Sequence, residues 1–394
     1  MFVTRKIENI IRQELKNHPI ISIIGARQVG KTLLSQKLFP EKPYVNLEDT
    51  VKRSQAKEDI YSFMEFYKNG AVFDEIQNVP ELFSHLQVAV DNETAPGRFI
   101  ITGSQNLLIS EKISQSLAGR VGVIDMYPFS YSELKNAKLN RKTRESAILY
   151  GSYPPVYDRK LNPVSWYKNY IRTYIQKDIN QILKIRNSGK FIRFIKLCAL
   201  NAGQIFNIAR LASCCDVDIK TINSWLSILE QTYIIFLLQP YYRNFSKRLV
   251  KSPKLYFYDT GIICSLLGIK TEKQLQDDRG LYGFLFENWS ISELIKNSAI
   301  KTEESSFYYW RDSNGHEIDL IIDSGFKMLP VEIKLSATPR TDFAGNIVKW
   351  KELCGVKVEE GVVIYGGTEK WSIKGVEYLP WSSVDEVFLN FRNR

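Results

Sequence analysis

The sequence predicts an α/β fold: a parallel sheet whose strands deliver their chemistry at their carboxyl ends. Three observations predict it. A β-branched run, Ile20 to Ile24, enters the loop Gly25-Ala26-Arg27-Gln28-Val29-Gly30-Lys31-Thr32 and leaves as a helix start at Leu33 and Leu34. A second apolar run, Ala71-Val72-Phe73, ends in the paired acids Asp74 and Glu75, after the turn Asn69-Gly70. Further apolar strands at Pro43 to Leu47, Phe99 to Ser104 and Val121 to Met126 alternate with helical stretches, the pattern of parallel strands joined by crossover helices.

The loop has G-x-x-x-x-G-K-T spacing between a strand and a helix, the context a phosphate-binding P-loop requires. Gly25 and Gly30 admit backbone angles that a side chain forbids, so peptide N–H groups can close on phosphate oxygens. Gly25 through Leu33 are the candidate nucleotide cradle, at a helix N-terminus whose free donors and dipole favour an anion. Lys31 is expected to reach the β- and γ-phosphates of ATP, and Thr32 to offer its hydroxyl to Mg²⁺. Asp74 is expected to hold Mg²⁺ through water, and Glu75 to orient or deprotonate the attacking water. The alternative for the acid pair is an ordinary strand ending in solvated charges.

The chain has 394 residues, enough for two or three domains with cores of their own. Net charge of +10 makes DNA or another polyanion a candidate partner, although a basic surface also serves solubility. The five cysteines are irregularly spaced without C-x-x-C, and the three histidines are scattered. That argues against a structural zinc site and fits reduced thiols in the cytoplasm. The opening MFVTRKIENIIRQEL lacks the apolar core of a signal peptide, and no apolar run approaches a membrane span. A soluble cytoplasmic protein with no membrane partner is expected.

Residues 1–18 set Ile7, Ile10, Ile11 and Leu15 at helical spacing. After the strand Phe99 to Ser104, helical residues run to Leu117, and Ala118-Gly119-Arg120 leads into the strand at Val121. The segments GARQVGKT, FDEIQ, FIITGSQN and LAGR, in that order, resemble an AAA+-like P-loop ATPase family of bacteria and archaea. Its members carry a C-terminal region catalogued as a domain of unknown function. The resemblance implies that the polar tip of the fourth strand senses the γ-phosphate; Ser104 fits that place, with Gln105 and Asn106 beside it. It also implies a homo-oligomer in which an arginine just before the fifth strand reaches a neighbouring subunit's site. Arg120 holds that place, the alternative being a local salt bridge or a helix-end contact. Proline is commoner in the family where Ala26 stands, a change that leaves phosphate binding intact.

Residues 127–150 are basic and polar and read as a connection. Gly151-Ser152-Tyr153-Pro154-Pro155 resembles the family's G-G-Y/F-P turn, with Ser152 replacing the second glycine. A helix from Trp166 to about Leu183 sets Trp166, Tyr170, Tyr174 and Ile175 on one apolar stripe, which reads as core. The resemblance implies that this helical region acts as a lid over the nucleotide. Ile208 to Cys214 and Ile219 to Leu229, with Asp218 as N-cap, form a helix-turn-helix pattern. Strands Ile234 to Pro240 and Leu255 to Tyr258 follow, joined by the basic residues Arg243, Lys247, Arg248, Lys251 and Lys254, so the whole reads as a winged helix. Its second helix exposes Lys220, Asn223 and Ser224, and either DNA contact or protein packing is open to it.

In the final third, a helix opening at Gly283 and running to about Lys296 precedes strands Phe307 to Arg311, Glu317 to Asp323 and Met328 to Leu335, with Asn314-Gly315 as a hairpin turn. Alternation on a strand places Glu317 with Asp319, and Glu332 with Lys334. Glu287, Asp319, Glu332 and Lys334 resemble the D…E-x-K core of metal-dependent, restriction-endonuclease-like nucleases. There carboxylates hold Mg²⁺ and the lysine orients or activates water. A hairpin with solvent-facing charges, or a nuclease-like fold without activity, are the other readings. The expectation is therefore three parts: an AAA+-like P-loop NTPase domain over 1–135, a helical lid and winged-helix region over 136–275, and a small nuclease-like α/β domain over 276–394. Its reaction would be Mg²⁺-dependent ATP hydrolysis, its partner duplex or branched DNA. A nucleotide-gated regulatory switch, or a DNA-binding scaffold with an inert nuclease-like domain, are the alternatives.

Overall fold

The computed structural model describes residues 3–93, 95–104, 113–178, 188–241, 252–299, 305–325, 327–354, 361–373 and 375–388. They form two compact units. One comprises residues 4–128 together with 231–233; the other comprises 1–3, 129–230 and 234–394.

The first unit is a five-stranded sheet in the order β2-β3-β4-β1-β5, with every pairing parallel. The strands are β1 (Ile20–Ile24), β2 (Tyr44–Asn46), β3 (Ala71–Asp74), β4 (Phe99–Gly103) and β5 (Val121–Asp125). All residues of β1, β3 and β4 are buried. Both sheet faces are thus covered, which is why these strands read as continuous apolar runs without alternation. β1 lies between β4 and β5, with Ile24 level with Gly103 and with Asp125. The register brings the carboxyl ends of β1, β3 and β4 to one edge, where the phosphate-binding loop begins. Helix Lys31–Leu38 continues directly from that loop.

The second unit contains a mixed eight-stranded sheet in the order β12-β13-β11-β10-β9-β8-β6-β7. Its strands are β6 (Ile235–Pro240), β7 (Lys254–Phe257), β8 (Ser306–Arg311), β9 (Glu317–Asp323), β10 (Met328–Lys334), β11 (Val362–Tyr365), β12 (Trp371–Ile373) and β13 (Val376–Pro380). Trp350, Ile347, Ile318, Ile321, Val363 and Tyr378 fill the core under one part of it. The long helix Arg279–Ser298 carries Asp278 as its N-cap and buries Leu285, Phe286, Trp289 and Leu294. The hairpin turn falls at Asn314-Gly315, where Gly315 has φ of 88°. The helix-turn-helix runs Ile208–Cys215 and Ile219–Gln231, and Asp218 accepts from the Thr221 amide at 2.6 Å. Trp225 packs on Phe191 and Phe194, while Lys220, Asn223 and Ser224 are exposed.

Several expectations are corrected here. Residues 127–150 are more than a connection, since they contain helices Tyr131–Asn136 and Arg144–Tyr150. The first is started by a capping box in which Ser130 and Glu133 exchange hydrogen bonds, and Thr143 caps the second. The helix expected from Trp166 begins at Pro163 and changes at Ile171 to a wider π winding through Asp178. Trp166 stacks on Tyr170, which packs on Tyr174, as a core stripe should. β6 pairs antiparallel with β7 and in parallel with β8, so these strands also extend the sheet of the last third. Arg243, Lys247, Arg248 and Lys251 lie outside the described residues, as do Gln105 and Asn106. Among the described residues no helix is long and apolar enough to cross a membrane.

Candidate functional site

The P-loop is held in shape before any phosphate arrives. Gly30 has φ of 98°, in the region that favours glycine, and caps helix Lys31–Leu38. At Gly25 a β-carbon would stand 2.0 Å from the Met126 carbonyl oxygen, so no side chain fits. Ala26 and Val29 are fully buried, Gln28 has φ of 65°, and Leu33 is half exposed on the outer helix face. The Arg27 guanidinium pairs with Glu48 at 3.0 Å. Lys31 is buried, and its ammonium donates to the carbonyls of Gly25 and Ala26 at 3.0 Å each. Burial lowers the Lys31 pKa, with Glu75 and Asp74 opposing that shift. From behind, the Arg5 guanidinium binds the Val29 carbonyl at 3.0 Å and the Tyr127 carbonyl at 2.7 Å.

The two acids are positioned by different sets of donors. Thr32 donates to Asp74 Oδ2 at 2.7 Å, and Tyr44 on β2 donates to the same oxygen at 2.5 Å. Thr102 on β4 donates to Asp74 Oδ1, and its oxygen accepts from the Glu75 amide at 3.2 Å. Glu75 leaves the strand with φ of 57°. Its Oε2 accepts from the Ser104 hydroxyl at 2.8 Å, the Ser104 amide at 3.2 Å and the Gln77 side-chain amide at 2.5 Å. Burial alone would raise the Glu75 pKa, but Lys31 and the bonds from Gln77 and Ser104 hold it below the usual carboxylate value. Lys31, Thr32, Asp74, Glu75 and Ser104 are therefore one connected group. Thr32 and Asp74 set hard oxygens side by side at the mouth of an anion cradle, a donor set that fits Mg²⁺ carried by a nucleotide.

Arg120 stands apart from that group. Its Nε and Nη2 form a fork on Asp91 at 2.5 and 2.9 Å, on the exposed side of the same unit. Sequence reasoning missed Arg5, Tyr44, Thr102 and Gln77. Thr102 lies on β4 two residues before Ser104, where alternation flags it, whereas Gln77 lies in the 3-10 turn after β3, beyond the reach of strand alternation. Arg5 and Tyr44 carry no local signal, since their partners are 24 and 30 residues away.

In the second unit, Glu287, Asp319, Glu332 and Lys334 do come close, in company the sequence did not announce. Lys334 pairs with Glu332 and stands 3.7 Å from Asp319, whose same oxygen accepts from the Ile333 amide at 2.8 Å. Lys254, expected on an exposed basic wing, is only 3% exposed; its ammonium pairs with Glu287 at 3.2 Å and with Glu317. Tyr256 donates to Glu287 Oε1 at 2.7 Å. The wing expectation for Lys254 fails because β7 packs against the helix that carries Glu287. Burial, reinforced by Asp319 and relieved by Lys334, pushes the Glu332 pKa up to about 8. Among the described residues no three His, Cys, Asp or Glu side chains gather as a metal ion requires. Lysine ammoniums stand among the expected ligand trio Glu287, Asp319 and Glu332.

Comparison with known proteins agrees with the first unit's geometry. A family model described as an AAA domain matches residues 17–135. Two described as domains of unknown function match 141–273 and 282–384. An uncharacterized protein of Mycobacterium tuberculosis, Rv2008c, is 30% identical over 390 residues, covering 96% of this chain and 85% of that protein. An uncharacterized protein of Methanocaldococcus jannaschii, MJ1544, is 24% identical over 349 residues, covering 80% of this chain and 75% of its own. The solved Walker-type ATPase PABY2304 of Pyrococcus abyssi overlays with a TM-score of 0.47 at 14% identity, covering 68% of this chain and 96% of that one. The chain belongs to the same family as the mycobacterial protein, and its residues 17–135 carry an AAA domain.

Proposed function

We propose that this protein binds ATP with Mg²⁺ at the P-loop and hydrolyses it. The observation that carries the proposal is the convergence of Lys31, Thr32, Asp74, Glu75 and Ser104 at the carboxyl edge of one parallel sheet. Lys31 exchanges its two carbonyl acceptors for phosphate oxygens, and the loop amides close on the same anion. Mg²⁺, held by Thr32 and Asp74, would neutralise charge that develops on the phosphates. Glu75, kept ionised by Lys31, accepts the proton of the attacking water once Ser104 turns towards the γ-phosphate. The test uses two variants. Lys31→Ala should lose nucleotide binding, whereas Glu75→Gln should keep binding and lose turnover, because a carboxamide cannot take the proton. Wild-type turnover by Glu75→Gln would remove Glu75 from this role.

For the rest of the chain we propose a DNA partner and a homo-oligomer in the cytoplasm. Support comes from the net charge of +10, the exposed Lys220, Asn223 and Ser224 on the second helix of the helix-turn-helix, and the AAA domain itself. We read three functional parts, 1–135, 136–275 and 276–394, the last nuclease-like in its arrangement of Glu287, Asp319, Glu332 and Lys334. The placement of Lys254 favours an inert nuclease-like part, hence a scaffold or nucleotide-gated switch over a DNA-cutting enzyme. Retention of duplex and branched DNA, weakening steeply as salt rises, is the expected result.

A further inference from the structure

An active site of the nuclease type needs carboxylate oxygens that face one point with lone pairs free for a divalent ion. Here one oxygen of each acid is taken by a cation, amide or hydroxyl of the chain, while Glu332 Oε1 is buried without a hydrogen-bond partner among the described residues. Glu287 Oε1 receives the Lys254 ammonium at 3.2 Å and the Tyr256 hydroxyl at 2.7 Å. Glu317, one pleat from Asp319 on β9, pairs with the same ammonium. Asp319 Oδ2 is taken by the Ile333 amide at 2.8 Å and faces Lys334 at 3.7 Å. Glu332, 1% exposed, pairs with Lys334 through Oε2. Two lysines from different strands, β7 and β10, therefore serve four acids from the long helix, β9 and β10.

We propose that Lys254 is the resident cation of this constellation: its buried ammonium holds Glu287 and Glu317 in place of a divalent metal ion. A tethered charge is always present, so it competes with a dissolved ion at high effective concentration. For a metal to take Glu287, Lys254 must leave its partners, and a buried charge without a partner is strongly unfavourable. The strand that supplies Lys254 belongs to the β6–β7 hairpin, whose pairing with β8 fixes the ammonium beside the acids. The consequence is a nuclease-like site that stays assembled without metal and performs no metal-dependent phosphodiester cleavage. The inference rests on the reading of residues 276–394 as nuclease-like and is independent of ATP hydrolysis and of DNA retention.

The test measures Mn²⁺ binding to the full chain without nucleotide, by calorimetry and electron paramagnetic resonance. Wild type should show no saturable binding beyond that of Asp319→Asn at millimolar Mn²⁺. Lys254→Met keeps the aliphatic stem but leaves Glu287 and Glu317 facing each other, and should bind Mn²⁺ at least about tenfold more tightly than wild type. The gain should vanish when Asp319→Asn is added, which assigns it to this site. Lys254→Arg, which retains the charge, should stay as blind to metal as wild type. Should Lys254→Met fail to fold, the comparison of wild type with Asp319→Asn and the Lys254→Arg variant still decides. Saturable wild-type binding that Asp319→Asn abolishes, or Lys254→Met no tighter than wild type, would overturn the proposal. Loss of DNA retention in the wild type would strike the partner reading and leave this one standing.

Discussion

Replacing Thr102 by valine removes one hydroxyl from the centre of the P-loop unit while conserving volume. Thr102 is fully buried on β4, where its oxygen donates to Asp74 Oδ1 and accepts from the Glu75 amide at 3.2 Å. Valine leaves no cavity, so the cost is electrostatic: a buried carboxylate oxygen and a buried N–H each lose a partner. A hydrogen bond to a charged group contributes about 1.5–3 kcal/mol and a neutral one about 1, so a loss of about 3 kcal/mol is expected. That corresponds to about a hundredfold faster amide exchange for the neighbouring strands, provided that exchange follows the opening equilibrium. Exchange is the right observable, because all seven tryptophans lie from Trp166 onward, outside this unit, and fluorescence does not report it. Nucleotide affinity should change little, since Lys31 and the loop amides keep their geometry. Turnover should fall about tenfold or more as Asp74 and Glu75 loosen together. Exchange in β1, β3 and β4 within about threefold of wild type, with unchanged turnover, would refute the reasoning.

Two further outcomes are expected. Burial raises the Glu293 carboxyl above its ordinary value, with Lys296 and the Tyr131 amide opposing. A raised folded pKa means stability present at low pH and lost as pH climbs from the unfolded value near 4.5 through the folded one. Urea midpoints read from tryptophan fluorescence (Trp289 lies one turn away on the same helix) should therefore fall with pH over that window. Glu293→Gln should flatten the slope, and a wild-type midpoint that rises with pH would contradict the assignment. Arg120→Ala removes an exposed pair with Asp91 and should leave thermal stability unchanged. If Arg120 acts on a neighbouring subunit, turnover should fall at constant nucleotide affinity, and mixing with Lys31→Ala should restore part of it. Turnover independent of protein concentration in a strictly monomeric sample would end that idea.

The P-loop unit was legible because its signals are local. Ile20–Ile24 is the strand that its β-branched run announces, and β3 and β4 begin at the expected residues because buried parallel strands leave continuous apolar runs. The candidate acids Asp74 and Glu75 are also local, together at the tip of one such run. What escaped was support across distance: Tyr44 on Asp74, Thr102 bridging Asp74 and Glu75, Arg5 behind Val29. Helices Tyr131–Asn136 and Arg144–Tyr150 escaped because each is short and set among basic residues, although the Ser130–Glu133 capping box stood in plain view. The C-terminal carboxylates were found from the E-x-K spacing, yet Lys254 was assigned to solvent. Periodicity places a residue on a strand face; only the packing of β7 against the helix that carries Glu287 decides that the face is covered.

The pairing of β6 with β8 has a consequence for how the molecule can be taken apart. A fragment starting near residue 276 looks separable in the sequence, but it would leave β6 and β7 behind. β8 would become an outer strand with the Tyr309 carbonyl bared, having lost the Tyr241 amide at 2.7 Å. An edge of this kind, rich in Tyr308, Tyr309 and Trp310, is a template for strand addition from another copy. Glu287 and Glu317 would at the same time lose the ammonium that separates them. Such a fragment should aggregate, and any metal it bound would report on the cut. A piece that begins before Ile235 keeps both strands, and with them the pairing of Lys254 with Glu287 and Glu317.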